Sequence, residues 1–208
     1  GGTEFGTWGA QALTRAIVDA KLPKLKTLGL AKVYLRTSEM QALAKVLRFV
    51  PDLVSLDLSH NKFGASGLRA LLSPAYGPNG VVPRSYFMNK LDLTGVSLGC
   101  KGVKQLAKVL AAGRLNVKEL VLANVDMRKD GLTALVNTYA ELSKQEIPGW
   151  RGMLKSLDLS GNHKAPLTAL KACLRAVPSS LKSLNLDGVD SANLGTLKEA
   201  RAAAARTP

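Results

Sequence analysis

The sequence predicts an α/β solenoid, a stack of units each made of a short strand, a loop and a helix. Three observations carry this expectation. A six-residue apolar phrase, LxxLxL with Met or Val allowed at its first place, recurs at 25–30, 53–58, 88–93, 117–122, 154–159 and 181–186. It restarts after 28, 35, 29, 37 and 27 residues, which is the spacing of a repeat array with two long units. In most copies a loop, a glycine and a second apolar run at helical spacing come next.

Each unit can be justified in turn. Phe5-Gly-Thr-Trp-Gly9-Ala-Gln-Ala-Leu13 aligns with Phe63-Gly-Ala-Ser-Gly67-Leu-Arg-Ala-Leu71, so the chain is expected to open midway through a repeat, as a fragment. Alternatively, the residues from Gly1 to Phe5 are foreign to the protein. The fullest copy is Leu53-Val-Ser-Leu56-Asp-Leu58-Ser-His-Asn61-Lys-Phe63-Gly-Ala-Ser-Gly67-Leu-Arg-Ala-Leu71, and Gly9, Gly102 and Gly131 occupy the place of Gly67. These residues resemble the leucine-rich repeat family in its long, ribonuclease-inhibitor-like form. The resemblance covers nearly the whole chain and implies a horseshoe, with parallel strands on its concave face and helices on its convex face. It also implies a loop asparagine in each unit, met by Asn61 and Asn162 but replaced by Val33, Val96, Val125 and Val189. Valine cannot hydrogen-bond, so those loops must satisfy their backbone groups otherwise and local irregularity is expected.

Residues 1–208 are read as one domain, because a solenoid of 46% hydrophobic content buries a continuous core without an internal boundary. No run of 18 apolar residues exists, so no membrane-spanning helix is expected. Cys100 and Cys173 fall in helices two repeats apart and are expected as free thiols. With no cysteine-rich cap in view, an intracellular setting is expected.

The net charge is +14, and its placement matters more than its sum. Alternation along each strand sends the third, fifth and seventh positions of the phrase outward. That surface holds Asp57, Asp92, Glu119, Asp158 and Asp187 against the single base Lys90, so the concave face is expected to be acidic and lined by small side chains. Basic residues collect in stretches without acids. Lys101, Lys104 and Lys108 recur at helical spacing in one, and Lys171 and Arg175 lie in another. A basic convex surface would attract a polyanion such as RNA.

The two long repeats carry insertions near 73–87 and 141–153. The first is rich in Pro and Gly and reads as a loop. Tyr76, Tyr86, Phe87 and Trp150 sit in or beside them, and aromatics on a rigid scaffold are frequent anchors of a binding patch. The alternative for the same residues is that they fold back over the core edge.

No catalytic reading survives. His60 and His163 fall in loops three strands apart without cysteines at ligand spacing, so no metal site and no cofactor are expected. The glycine-rich stretch Gly95-Val-Ser-Leu-Gly99-Cys-Lys101-Gly102 lacks the spacing and the hydroxyl residue of a phosphate loop. The expected function is a non-catalytic scaffold for a protein partner, with the alternative of a basic ribonucleoprotein component that contacts RNA phosphate through its convex helices.

Overall fold

The computed structural model describes residues 24–72, 86–144, 154–163 and 181–189, with Gly9, Ala12, Arg15 and Ala16 as single further positions. Its elements alternate as the repeats require. They are β1 (Thr27–Gly29), α1 (Thr37–Val46) with a 3-10 turn at Leu47–Phe49, β2 (Ser55–Asp57), α2 (Gly64–Leu72), β3 (Tyr86–Asp92), α3 (Gly99–Ala111), β4 (Leu115–Val121), α4 (Lys129–Lys144), β5 (Ser156–Asp158) and β6 (Ser183–Asn185). The strands form one sheet in sequence order, and every neighbouring pair is parallel. The register sets Leu28, Leu56, Leu91, Leu120, Leu157 and Leu184 in one row.

That row explains why no unit folds alone. Leu56, Leu91, Leu120 and Leu157 are almost wholly buried, as are Leu58, Leu93, Leu122 and Leu159 two places on. Each strand offers leucines on one face only, and the neighbouring units must close the rest of the core. The helices stack in the same order, α1 on α2, α2 on α3 and α3 on α4. α3 turns Val103, Leu106, Ala107, Val109 and Leu110 inward, which leaves Lys101, Lys104 and Lys108 exposed.

The helical glycines set how closely these helices approach. A Cβ on Gly102 would stand 2.8 Å from Leu98 Cβ and 3.3 Å from Ala65 Cα of α2, and one on Gly131 would stand 3.4 Å from Cys100 Cα of α3. The repeated glycine therefore marks a place where the neighbouring helix leaves little room for a side chain.

The loops share one left-handed position. Lys32, His60, Gly95, Asn124, Gly161 and Gly188 hold the same place two residues past the apolar phrase, and all are left-handed, with φ from 53° to 68°. For Lys32 and His60 that conformation is intrinsically unfavourable, so the stacked loops must hold it. His60 donates its backbone N–H to Thr94 O at 2.7 Å, and Lys32 donates to Ser59 O at 3.0 Å.

The two asparagines do more than serve their own loops. Asn61 Nδ2 donates to Leu58 O and also to Leu30 O of the preceding unit, while its Oδ1 accepts from the backbone N–H groups of Val33 and Leu35. Asn162 does the same for Val125 and Met127, with Nδ2 bonded to Leu122 O and Leu159 O. The next repeat thus supplies the amide missing from the Val33 and Val125 loops, and the irregularity expected there takes the form of a second left-handed residue directly after each valine, Tyr34 at φ 59° and Asp126 at φ 54°.

Two boundaries differ from the sequence reading. The segment read as a loop to residue 87 yields to strand at Tyr86, because Tyr86, Phe87 and Met88 pair with Leu115, Asn116 and Val117. The insertion placed from 141 begins as helix, because Leu135, Val136, Tyr139 and Leu142 keep one apolar face buried and carry α4 to Lys144.

Candidate protein-interaction surface

The outward positions of the strands build a polar, small-residue sheet face. Asp57, Asp92 and Asp158 are half-buried on it, and each bends to its own chain. Asp57 Oδ1 accepts from the backbone N–H of Ser59 at 2.9 Å, Asp158 Oδ1 from that of Ser160 at 2.9 Å, and Asp92 Oδ1 from both the N–H and the hydroxyl of Thr94. These carboxylates close the turn after each strand in the manner of Asx-turns. Asn185 takes the same role toward Asp187 N–H at 3.1 Å and donates to Asp158 Oδ2 at 3.2 Å. Part of each carboxylate's hydrogen-bonding capacity is therefore spent on local structure.

The charges on this face are unevenly matched. Lys90 Nζ lies 3.5 Å from Asp92 Oδ2, so the single base leans along its own strand. Its register partner on β4 is Glu119, which is exposed and, among the described residues, has no ion-pair partner. Asp187 is exposed as well.

Below Lys90 and Glu119, β3 and β4 run further than the other strands, seven residues each. Phe87 sits in this extension and is 59% exposed, although both strands around it are anchored in the sheet. Tyr86 is its chain neighbour in β3. Tyr76 and Trp150 lie outside the described residues. Two other exposed aromatics were not singled out from the sequence. Phe49 closes the 3-10 turn before β2 and is 54% exposed, and Tyr34 lies in the first loop with Lys62 Nζ 5.0 Å from its ring centre. Both occupy ordinary repeat positions.

On the convex side, Lys101 and Lys108 are exposed on α3, whereas Lys104 Nζ meets Asp130 Oδ2 of α4 at 3.3 Å. The acid-free stretch of sequence is thus partly neutralised by the next helix. Lys171 and Arg175 lie outside the described residues. Among the described residues no group of three or more His, Cys, Asp or Glu side chains could hold a metal ion, and no helix is long and apolar enough to cross a membrane. Cys100 is a free thiol, and Cys173 falls outside the described residues.

Comparison with known proteins agrees with this architecture. The family described as Leucine Rich repeat matches residues 51–72, the second strand and the helix after it. The ribonuclease inhibitor of Sus scrofa is 29% identical over 177 residues, 84% of this chain, and the chain spans 36% of that relative's length. Six repeats of one phrase, a six-stranded all-parallel sheet backed by stacked helices, and these two matches together give the chain the fold of an α/β leucine-rich repeat solenoid, similar to the ribonuclease-inhibitor-like repeat type.

Proposed function

We propose that the chain is a non-catalytic scaffold that holds a partner protein against its repeat sheet and the edge where the strands begin. The observation that carries this reading is Phe87, a large apolar ring left 59% exposed on a strand whose backbone is fixed by parallel pairing. Exposed aromatics on a rigid frame are where interface energy concentrates, since little conformational entropy is lost when a partner covers them. Tyr76, Tyr86 and Trp150 are assigned to the same edge by their positions in the two long repeats. A relative named for inhibiting a ribonuclease fits a role exercised by binding another protein.

The test places a photo-crosslinking phenylalanine analogue at position 87 and, separately, at the exposed Thr133 of α4. A defined protein adduct at 87, absent at 133 and indifferent to nuclease, is the expected result. Adducts lost on nuclease treatment, or formed only on the helices, would replace this reading with the RNA-contacting one.

A further inference from the structure

The second place of the repeat phrase carries charge of its own. Lys118, Lys155 and Lys182 hold it in the fourth, fifth and sixth units, and Lys26 holds it in the first, whereas Val54 and Asn89 interrupt the series. The sheet sets the last three side by side. Lys155 donates its backbone N–H to Lys118 O at 2.7 Å, Lys182 donates to Lys155 O at 2.8 Å, and the residues that follow them, Glu119, Ser156 and Ser183, are register partners. Equivalent positions on neighbouring parallel strands project alike, so three ammonium stems leave the edge where the strands begin within a span of about 10 Å. Lys155 and Lys182 are exposed and Lys118 is half-buried. Among the described residues none of the three makes an ion pair. Like charges set directly beside one another are mildly destabilising, and no described carboxylate offsets these. Phe87 lies at the same edge, since its register partner Asn116 stands two residues before Lys118 in β4.

We infer that the row of Lys118, Lys155 and Lys182 takes an acidic segment of a partner protein, an inference that rests on the scaffold reading above and names what the partner brings to this edge. A short run of Asp or Glu supplies the counter-charge that the row lacks. Lysine, a compact charge on a flexible stem with several donors, meets such carboxylates without a fixed geometry. The surroundings limit how far the ligand's negative charge can extend. Glu119, Asp158 and Asp187 stand one, three and five residues past the lysines on the same three strands, so on β4 and β5 the row gives way to carboxylates within about 10 Å. On its other side Asn89 and Val54 carry no charge. A nucleic-acid strand has a phosphate at every nucleotide and outruns a row of this length onto those acids, where it is repelled. A peptide can confine its acids to the residues that lie over the lysines. The convex lysines Lys101 and Lys108 stand across the core from this edge, because α3 turns its apolar face toward the sheet.

The probe is a capped hexaglutamate peptide, titrated into the isotopically labelled 208-residue chain at about 0.1 M salt, where charges more than about 10 Å away are largely screened. Hexaglutamine and hexathymidylate are titrated alongside it. The expected result is a saturable shift of the backbone amides of Lys118, Lys155 and Lys182, with hexaglutamate bound at least about tenfold more tightly than either comparison ligand. Lys118→Gln, Lys155→Gln and Lys182→Gln combined should weaken that binding about tenfold or more, and should leave the Tm of the free chain unchanged or raise it. Lys101→Gln combined with Lys108→Gln on α3 should weaken it less than about twofold. Equal losses in the two variants would reduce the binding to the overall charge of the chain and overturn the inference. Hexathymidylate bound as tightly as hexaglutamate, through the same three lysines, would overturn it in favour of nucleic acid. Either of those results combined with a protein crosslink at position 87 leaves the scaffold reading standing. Selective hexaglutamate binding at the row without any protein crosslink bears out the chemistry of the row and removes the scaffold reading instead.

Discussion

Asn162 Oδ1 accepts the backbone N–H of Met127 at 3.0 Å, from a loop 35 residues earlier in the chain. The same oxygen accepts from Val125, and the amide nitrogen reaches one carbonyl on each side of the boundary between the two repeats. One side chain thus joins two units at the turn where strand gives way to helix. Asn61 does this for the first and second units, so the first with the second and the fourth with the fifth are bound by amides, while the interface between the second and third relies on other contacts.

Replacing Asn162 by Ala should therefore destabilise two repeats at once. Several buried backbone groups lose their partners, each at about 1–3 kcal/mol, and partial relaxation brings the expected total to about 3 kcal/mol. For a chain of this size that corresponds to a fall in Tm of about 6–12 °C. Hydrogen exchange should rise at Val125 and Met127 as well as at the substituted loop. A loss confined to the repeat that contains residue 162 would show that the amide does not bridge the units in solution.

Of the repeat glycines, Gly102 is tight and Gly131 tolerant. Alanine at Gly102 places its Cβ 2.8 Å from Leu98 Cβ and 3.3 Å from a backbone atom of α2, and Leu98 is too deeply buried to withdraw. Overpacking of this kind costs about 1–3 kcal/mol, against a helix-propensity gain of about 1 kcal/mol. At Gly131 the nearest atoms are 3.3 and 3.4 Å away, so the two effects should nearly cancel. Gly102→Ala is expected to lower Tm and Gly131→Ala to leave it almost unchanged. Equal losses in both would mean that the helices are spaced more uniformly than the contacts imply.

The repeat phrase made the strand order and core legible because its leucines encode period two over a few residues, and period two determines which side chains face inward. Asn61 and Asn162 were recognisable as loop residues, but their reach into the preceding repeat was not. A bond spanning 26 to 40 residues exists only once the register is set. The same reasoning applies to Lys104 and Asp130, 26 residues apart, which a reading of charge along the chain places in separate stretches. Phe87 stood out as an aromatic near an insertion, yet its place in a strand depends on Leu115–Val117 extending to meet it. Asn116 gave no signal at all, since an asparagine before a repeat phrase has nothing in its sequence context to mark it as buried.

The pairing of Lys104 with Asp130 gives the convex face a graded response to polyanions. All three lysines of α3 are exposed, so replacing any of them by Glu should leave Tm nearly unchanged, as surface substitutions normally do. Retention on immobilised heparin should respond differently to each. Lys101 and Lys108 present uncompensated charge, and Glu at either should lower the eluting salt concentration clearly. Lys104 Nζ is engaged by a carboxylate 3.3 Å away and is less free to contact a polyanion directly, so the loss of that contact, and with it the effect of Glu, should be smaller there. Asp130→Ala should raise the eluting salt concentration. Equal effects at all three lysines, with no response at Asp130, would mean that the pair is broken in solution and that the convex face carries the full charge its sequence suggests.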